Sequence, residues 1–321
     1  MTRLLIGGYS GDKGTGSGVA VIDGDEVTIL IPAESPSWIA WHPTLPVLYA
    51  VAETDDGRVH AWVLADGEPV QALGSAQTGG AEPAHLAIDP AGRFLIAANY
   101  SGGSISVHQL AEDGQIGRRT DLVQHELHGD QPRQSGAHPH MIRAVAGGTL
   151  VIDLGGDAIY RYQLTDDGRL QLAAITATPA GSGPRHVLPV GDRYYVTAEL
   201  SAEVLSYDQE WNFGGAVAAS MTGTKNQPSE LVSNGRYLYV ANRGPDTVSV
   251  FALDSELPRY LTEVPTGAWP RHIYLDSDLL HVANERSHEI ITMRIDPESG
   301  IPTRVRAVAA PSPTCIVPWP P

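Results

Sequence analysis

The sequence has little of what covalent cross-links, membranes or export require. Cys315 is the only cysteine among 321 residues, so no disulfide can form within the chain. No stretch approaches the roughly 20 consecutive apolar residues that a membrane-spanning helix needs. Residues 1–10 contain one arginine and a very short apolar run, unlike a secretory signal. These absences predict a soluble, cytoplasmic protein.

Positive charge is also scarce. The formal net charge is −16, and Lys13 and Lys225 are the only lysines. No basic run is present, and so acidic a chain would be repelled by nucleic acid, which is therefore not expected as a partner. Arginines that converge locally on this acidic background would mark a site for a small anion.

Signals for helices and for nucleotide binding are missing as well. No window spaces its apolar residues at helical intervals, and β-branched residues and tyrosines fill the periodic runs. The chain has no Gly-x-Ser-x-Gly elbow, no P-loop and no dinucleotide fingerprint. We therefore expect an all-β protein without a cofactor.

What the sequence does contain is a repeat. A proline, two variable residues and an aliphatic residue recur seven times, at intervals of 42 to 56 residues. The copies are Pro36-Ser-Trp-Ile39, Pro83-Ala-His-Leu86, Pro139-His-Met-Ile142, Pro184-Arg-His-Val187, Pro228-Ser-Glu-Leu231, Pro270-Arg-His-Ile273 and Pro313-Thr-Cys-Ile316. Looking for such internal periods comes before any local assignment, because they decide the architecture.

A second signal runs in step with the first. It is a short apolar strand that ends in a small residue and then a polar one. Its copies are Val51-Ala-Glu53, Ala97-Ala-Asn99, Val151-Ile-Asp153, Thr197-Ala-Glu199, Val240-Ala-Asn242 and Val282-Ala-Asn284. A turn, a third alternating strand and a more variable fourth strand follow, which is typical of propeller blades. We predict one domain over residues 1–321, a seven-bladed β-propeller of four-stranded antiparallel blades. A β-sandwich would not explain seven copies in phase.

The two chain ends predict how the ring closes. The N-terminus opens on a second-type strand, and residues 313–319 supply a first-type strand with nothing after it. We expect the C-terminal strand to pair with the N-terminal blade, because this removes an exposed sheet edge. The longest interval holds an insertion around residues 124–136, which we expect to form a long loop near one mouth of the channel.

Both signals place polar and charged side chains at one opening of the predicted channel, since the first strand begins on the face where the second strand ends. The set collected there is His85, His138, His140, Arg185, His186, Glu199, Glu230, Arg243, Arg271, His272, Asn284, Glu285 and Arg286. Arg185, Glu199 and Arg243 favour a functional role, because such side chains are costly to bury without a partner or a purpose.

Other members of this set have a structural alternative. His85, His186 and His272 share one phase of the repeat, and they could pack between blades instead of binding a ligand. The polar residues that follow the strands often cap turns, which we expect of Asn99, Asp153, Asn242 and Asn284. Two imidazoles of His138 and His140 share one face of an extended segment. His186, Glu199 or His272 could complete a metal site, but no compact metal spacing is present, so we expect acid–base chemistry and no metal.

At these residues the chain resembles the seven-bladed-propeller lactonases, a family that includes one class of bacterial 6-phosphogluconolactonase and the fungal carboxymuconate cycloisomerase. The resemblance covers essentially the whole chain. The matching segments are Gly136-Ala-His-Pro-His-Met141, Gly183-Pro-Arg-His186, Thr197-Ala-Glu-Leu200, Tyr239-Val-Ala-Asn-Arg-Gly244, Asp246-Thr-Val-Ser-Val-Phe251, Gly267-Ala-Trp-Pro-Arg-His272 and the Ile-Asp-Pro-Ala-Gly-Arg run at 88–93. One departure is Glu230, where we expect a smaller or apolar residue.

The resemblance implies a lactone hydrolase of carbohydrate metabolism that works without a metal. Its implied catalytic residues are His140 (or His138), Arg185, Glu199 and Arg243. His138, His85, His186, Arg271, His272 and Glu285 are the candidates for substrate binding. The expected partner is a small anionic lactone or sugar phosphate. Two alternatives stay open: a carboxymuconate-type cycloisomerase that uses the same histidine, and a non-catalytic propeller scaffold or ligand-binding protein.

A lactonase needs an activated water molecule and a stabilised oxyanion. The two arginines could hold a carboxylate or phosphate and offset the developing negative charge. Arginines beside Glu199 would keep this carboxylate ionised and weaken it as a base. We therefore expect His140 to act as the base and Glu199 to position an arginine or the water.

Overall fold

The computed structural model describes residues 3–65, 68–145 and 148–319. These residues form seven four-stranded antiparallel sheets, so the predicted seven-bladed propeller is confirmed. Apart from one short 3₁₀ turn at Gly11–Lys13, the elements are all strands. In the strands, buried and exposed residues alternate or both faces are buried. This explains why the sequence shows no helical period of apolar residues.

The blades follow the order of the chain, and within each the strands run outward from first to fourth. Blade 1 comprises β28 (Pro313–Pro318), β1 (Leu4–Gly8), β2 (Gly18–Asp23) and β3 (Glu26–Pro32). Blade 2 comprises β4 (Ile39–Trp41), β5 (Val47–Ala52), β6 (Arg58–Ala65) and β7 (Glu68–Gln77). Blade 3 comprises β8 (Pro83–Ile88), β9 (Phe94–Asn99), β10 (Ser104–Leu110) and β11 (Ile116–Gln124).

The remaining blades repeat the pattern. Blade 4 comprises β12 (Pro139–Val145), β13 (Gly148–Asp153), β14 (Ala158–Leu164) and β15 (Leu170–Ala177). Blade 5 comprises β16 (Pro184–Val190), β17 (Arg193–Ala198), β18 (Glu203–Asp208) and β19 (Phe213–Ala218). Blade 6 comprises β20 (Gln227–Ser233), β21 (Tyr237–Arg243), β22 (Thr247–Ala252) and β23 (Arg259–Pro265). Blade 7 comprises β24 (Pro270–Asp276), β25 (Leu279–Asn284), β26 (Glu289–Ile295) and β27 (Pro302–Ala309).

The ring closes as the sequence predicts. Strand β28 pairs with β1 in an antiparallel register that sets Ile6 opposite Ile316 and Leu4 opposite Pro318. The first strands of all seven blades also contact their neighbours in turn, including β28 with β4 across the closure. The first strands therefore surround the central axis, and the fourth strands lie outermost.

The hydrophobic core is divided among the interfaces between blades. Seven clusters of buried side chains each join two adjacent blades, from blades 1 and 2 round to blades 7 and 1. Large side chains such as Tyr49, Tyr207 and Tyr239 are fully buried there. Because each blade covers the faces of two neighbours, the axis is left free for polar side chains.

Six of the seven blades begin with the same local irregularity. The ladder between first and second strand shifts register at the proline, which leaves Ala84, His140, Arg185 and Arg271 as extra residues in blades 3, 4, 5 and 7. Such a bulge turns a side chain away from its normal alternation. The residue before the proline often has a left-handed backbone, as at Glu82 (φ 51°), Gly183 (φ 57°) and Trp269 (φ 61°).

One detail of the predicted alignment is wrong. The sequence comparison put Glu53 and Glu199 in the same repeat slot as Asn99 and Asn242. In the structure, the Glu53 and Glu199 amides donate to the carbonyl of the residue before the proline, as the Tyr100 amide does. The equivalent of Asn99 is therefore the preceding alanine, and the acidic residues lie one position further on. This position is just beyond the strand, where a side chain is free to enter the opening.

Candidate functional site

A cavity of about 300 Å³ lies at the face where the first strands begin. Its lining is polar and comes from six blades and one loop. The lining residues are Glu53, Glu82, Ala84, Tyr100, Arg133, His140, Arg185, Glu199, Gln227, Arg243, Trp269, Arg271, Glu285 and Arg286.

Three positions of the repeat supply twelve of these fourteen residues. The bulged residue after the proline gives Ala84, His140, Arg185 and Arg271. The residue before the proline gives Glu82, Gln227 and Trp269. The position after the equivalents of Asn99, at or just beyond the end of the second strand, gives Glu53, Tyr100, Glu199, Arg243 and Glu285. Arg133 and Arg286 come from outside these positions.

The Glu199 carboxylate is the shared partner of three arginines that line the cavity, and its side chain is 1% exposed. Its Oε2 accepts a hydrogen bond from Arg185 Nη1 at 2.9 Å and forms an ion pair with Arg243 Nη2 at 2.6 Å. Its Oε1 accepts from Arg133 Nη1. Arg185 Nη1 also donates to Nε2 of His140. The four residues predicted to be catalytic are thus brought together in one cluster.

Burial and neighbouring charges shift the pKa values of the groups in this cluster. Burial alone would raise the pKa of Glu199, but Arg243, Arg185 and Arg133 hold that pKa well below its usual range. Burial and the charge of Arg243 lower the pKa of the Arg185 guanidinium to about 9, despite the opposing effect of Glu199. Two buried guanidiniums share one carboxylate, so a further negative charge between them would be stabilised.

His140 is neutral in this environment. Burial, reinforced by Arg185, lowers its pKa well below the ordinary value of a histidine. An arginine can only donate, so Nε2 is the unprotonated nitrogen of the ring and Nδ1 carries the proton. The Nδ1 atom is buried and has no hydrogen-bond partner among the described residues. Nε2 is therefore the nitrogen of His140 that can take up a proton, once Arg185 Nη1 releases its hydrogen bond to that atom.

A second group of ion pairs lines the opposite part of the cavity. Arg271 Nη1 pairs with Glu285 Oε2 at 3.1 Å, and Arg271 Nη2 donates to the hydroxyl of Tyr9. The Tyr9 hydroxyl donates to Glu53 Oε1 at 2.8 Å. Lys13 Nζ lies 2.6 Å from Glu82 Oε1. Arg271 and Glu285, both predicted to bind substrate, thus line the same cavity as Glu199.

The other predicted substrate-binding residues lie elsewhere. His138 is stacked on Tyr100, with ring centroids 4.6 Å apart, and its Nδ1 lies 2.8 Å from the Tyr100 carbonyl oxygen. His85, His186 and His272 surround Trp38, one residue further along the first strands than the bulge, and they do not line the cavity. Of these, His186 is adjacent to His140, with ring centroids 5.1 Å apart.

Glu230 explains part of this histidine cluster. Its Oε2 lies 2.9 Å from Nδ1 of His186 and 3.5 Å from Nε2 of His272. Burial opposes its charge, yet these histidines lower the pKa of Glu230 to about 2. The residue that departs from the expected pattern is therefore a buried partner for two imidazoles.

Of the four residues expected to cap turns, Asp153 caps the turn after its strand, whereas the three asparagines bond to serine or threonine side chains. Asn99 Nδ2 donates to Ser104 Oγ, and Asn242 Nδ2 donates to Ser249 Oγ at 2.8 Å. Asp153 Oδ1 accepts from the amides of His138 and Gly156. The side chain of Asn284 accepts from Thr266. None of these four lines the cavity.

Sequence reasoning missed several lining residues. Arg133 belongs to the inserted loop, which spans residues 125–138 between β11 and β12, and its contact with Glu199 confirms that this loop reaches the mouth. Tyr100, Glu82 and Trp269 were not singled out. A signal for them was present, since the positions before each proline and after each second strand recur with the repeat.

Two further observations concern the rest of the molecule. Within the described ranges, no group of three or more His, Cys, Asp or Glu side chains could hold a metal ion. Nor do these ranges contain a helix long and apolar enough to cross a membrane. A larger cavity of about 450 Å³ lies between blades 7 and 1, but its lining, which includes Leu4, Ile290 and Val308, has no cluster of acids and bases like that around Glu199.

Comparison with known proteins agrees with this architecture. A family model described as lactonase, seven-bladed β-propeller, matches residues 3–318. The 6-phosphogluconolactonase of Bacillus subtilis strain 168 is 28% identical over 308 residues, which cover 88% of this chain and 86% of the relative. The chain belongs to the lactonase family of seven-bladed β-propellers, and the enzyme class predicted from the sequence, a lactone hydrolase, is confirmed.

Solved structures extend the likeness. A periplasmic gluconolactonase from Pseudomonas aeruginosa superposes with a TM-score of 0.90 at 28% sequence identity, covering 99% of this chain and 98% of that one. A protein from Lactobacillus plantarum gives a TM-score of 0.90 at 29% identity, with 98% of both chains covered.

Proposed function

We propose that this protein hydrolyses an anionic sugar lactone, of the 6-phosphogluconolactone type, in the cavity around Glu199. The observation that carries the proposal is the buried Glu199 carboxylate held between Arg185 and Arg243, beside a neutral His140. Relatives named as 6-phosphogluconolactonases and a gluconolactonase support the choice of substrate class.

In the proposed reaction, Arg185 Nη1 turns from His140 Nε2 to the carbonyl oxygen of the bound lactone. A water molecule then attacks the carbonyl carbon while the freed Nε2 takes one of its protons. The tetrahedral intermediate collapses with cleavage of the bond between the carbonyl carbon and the ring oxygen. The imidazolium returns its proton to that oxygen, which leaves as a hydroxyl group. The product is an open-chain hydroxy acid, whose new carboxylic acid ionises in water.

The arginines stabilise the negative charge that develops on the carbonyl oxygen. Arg185 and Arg243 are 3% and 4% exposed, so they act where solvent screening is weak. Glu199 keeps both guanidiniums in place before the substrate arrives, which is the preorganisation that oxyanion stabilisation requires. Its ionised state and its three arginine partners make Glu199 a weak base, so we assign proton transfer to His140.

Substrate binding is assigned to the outer part of the same cavity. Arg271 and Glu285 line it and remain our candidates for contacts to the sugar. His138 supports Tyr100 from the side, and His85, His186 and His272 lie deeper, so we assign these four to support of the site rather than to direct contact. No metal takes part in this proposal. A cytoplasmic location also stays a prediction.

The direct test is to assay the purified protein with freshly prepared 6-phosphogluconolactone and with carboxymuconate. We expect hydrolysis of the phosphorylated lactone above its spontaneous rate, and no cycloisomerisation of carboxymuconate. His140→Ala and Arg185→Ala should each lower kcat by at least about 100-fold. Exposed His128→Ala and Arg118→Ala serve as matched controls and should retain wild-type rates.

Two outcomes would contradict the proposal, and a third would invalidate the assay. Full lactonase activity in both His140→Ala and Arg185→Ala would exclude the assigned site. Turnover of carboxymuconate alone would replace the hydrolase with the cycloisomerase. Loss of activity in the exposed control variants would show that the assay reports folding and not chemistry.

A further inference from the structure

Arg286 lines the cavity but forms no ion pair with a carboxylate of the described residues. Its guanidinium carbon lies 3.5 Å from the centroid of the Trp269 ring, so the two planes are in contact. The neighbouring Glu285 directs its Oε2 to Arg271. Stacking leaves the edges of a guanidinium, with their N–H donors, free for a ligand.

The other cations of the cavity are all engaged. Arg133, Arg185 and Arg243 converge on Glu199. Arg271 pairs with Glu285, and Lys13 pairs with Glu82. Arg286 is therefore the guanidinium at this mouth that can bind an incoming anion without first breaking an internal ion pair.

The charge of the cavity matches a doubly charged ligand. Five arginines line it and Lys13 lies against two of its carboxylates, whereas the lining carboxylates number four. The site thus carries two positive charges in excess, in a chain whose net charge is −16. A phosphate monoester carries a charge of about −1.5 to −2 at neutral pH, whereas a carboxylate carries −1.

Trp269 is held in place for this contact. Its backbone is left-handed, with φ 61°, which is an unusual conformation for a bulky side chain. The Trp269 amide donates to Asp246 Oδ1 at 2.8 Å, and the ring is also 5.5 Å from the guanidinium carbon of Arg243. One indole ring therefore contacts an arginine of the Glu199 cluster and the free arginine at the mouth.

The repeat shows that Arg286 is an addition in blade 7. The equivalent residue of every other blade follows the position just beyond the second strand. These equivalents are Ser10, Thr54, Ser101, Gly155, Leu200 and Gly244. All six are uncharged, so this charge does not arise from the common blade pattern.

We infer that Arg286, stacked on Trp269, binds the phosphate group of a phosphorylated sugar lactone whose ring lies over Glu199. This inference rests on the proposed lactonase function and names the group that selects a phosphorylated over an unphosphorylated substrate. The arginines at Glu199 then serve the carbonyl end of the substrate, and Arg286 serves its remote anion.

The test compares Arg286→Ala with the wild type on 6-phosphogluconolactone and on gluconolactone. We expect kcat/KM for the phosphorylated lactone to fall about ten- to hundred-fold more than for the unphosphorylated one, mainly through KM. Arg286→Lys should recover part of the loss, because it keeps the charge but not the planar fork. Arg236→Ala is the matched control, since exposed Arg236 lies 5.0 Å from the Tyr237 ring and should leave the ratio unchanged.

A binding measurement separates this inference from the proposed function. Calorimetry with 6-phosphogluconate and with gluconate, the two hydrolysis products, does not depend on turnover. Weaker binding of 6-phosphogluconate alone in Arg286→Ala would support the phosphate contact even if neither lactone is hydrolysed, an outcome that would sink the proposed function only. An unchanged selectivity ratio together with unchanged 6-phosphogluconate binding would overturn the inference.

Discussion

Arg185 Nη1 donates a hydrogen bond of 2.9 Å to Glu199 Oε2, although the two side chains are only 4% and 1% exposed. Burying such a pair removes the hydration of both charges, which costs free energy. The Coulomb attraction offsets this desolvation cost only when the geometry is good and further hydrogen bonds are made. Arg243 and Arg133 supply the further contacts. The Glu199 carboxylate therefore holds the guanidiniums of Arg185 and Arg243 in fixed positions for an anionic ligand.

Replacing Glu199 tests this pair. Glu199→Gln removes the negative charge and leaves buried arginines without a counter-charge, so we expect the free energy of unfolding to fall by about 3–5 kcal/mol. We expect kcat to fall at least about 100-fold through misplaced guanidiniums. Urea unfolding and lactone kinetics give the two values. Asp278→Asn, which breaks the exposed pair with Arg294, is the control and should change stability by less than about 0.5 kcal/mol. Equal effects in both variants would contradict the special role of the buried pair.

Arg133 offers a different outcome at the same carboxylate. Its side chain is 42% exposed and reaches Glu199 and the Tyr100 hydroxyl from the inserted loop. We expect Arg133→Ala to raise KM several-fold and to shift the melting temperature by no more than about 2 °C, because Arg133 is partly solvated and Glu199 keeps its two buried arginine partners. Arg118→Ala on the outer strand β11 is the control. A large loss of stability with unchanged KM would show that Arg133 anchors the loop instead.

The buried histidines predict a loss of stability in mild acid. Burial lowers the pKa of His272 to about 4, and the unfolded chain titrates near 6.5. Between these values the unfolded state binds a proton that the folded state does not, so stability falls as the pH falls from about 6.5 to about 4. His85 and His186 also have lowered pKa values, chiefly through burial, and act in the same direction.

Melting temperatures measured by circular dichroism from pH 7.5 to pH 4.5 check this prediction. His272→Gln should make the decline with falling pH less steep, whereas exposed His128→Gln should not. Glu230 acts in a lower window. Its pKa is lowered to about 2, so its contribution is present above about pH 4.5 and is lost as the pH falls toward 2. A melting temperature that stays constant across the upper window would refute the prediction for the histidines.

Ring closure can be tested with one core residue. Ile316 lies opposite Ile6 and is 1% exposed in the cluster between blades 7 and 1. Ile316→Ala should lower the free energy of unfolding by about 2–5 kcal/mol, because it removes buried apolar surface and leaves a cavity. Val305→Ala, at a side chain that is 53% exposed, should change it by less than about 0.5 kcal/mol. Denaturant titration distinguishes the two. A similar small effect in both would indicate that the closing strand contributes little to the fold.

The repeat in the sequence was sufficient to predict the blades, their number and the closing strand. Each blade must cover the apolar faces of two neighbours, so the pattern in the chain and the pattern in space have the same period. The same phase also placed His140, Arg185, Glu199 and Arg243 at one rim, and the family resemblance selected these four from the larger set there. The one-residue error at Glu53 and Glu199 arose because a strand and the residue beyond it both carry polar side chains, and only hydrogen bonding distinguishes them.

The sequence could not decide which residues of each repeated motif reach the cavity. His85 and His186 share the proline-linked motif with Arg185, yet they lie deeper, because the bulge turns only the residue directly after the proline into the opening. Arg133 enters from a loop of fourteen residues whose path no period describes. The sequence by itself therefore determined the ring and the chemical types at its mouth. Only the tertiary structure decided which charges meet, since a pairing such as Arg185 with Glu199 and Arg243 depends on angles and distances across three strands that no spacing in the chain encodes.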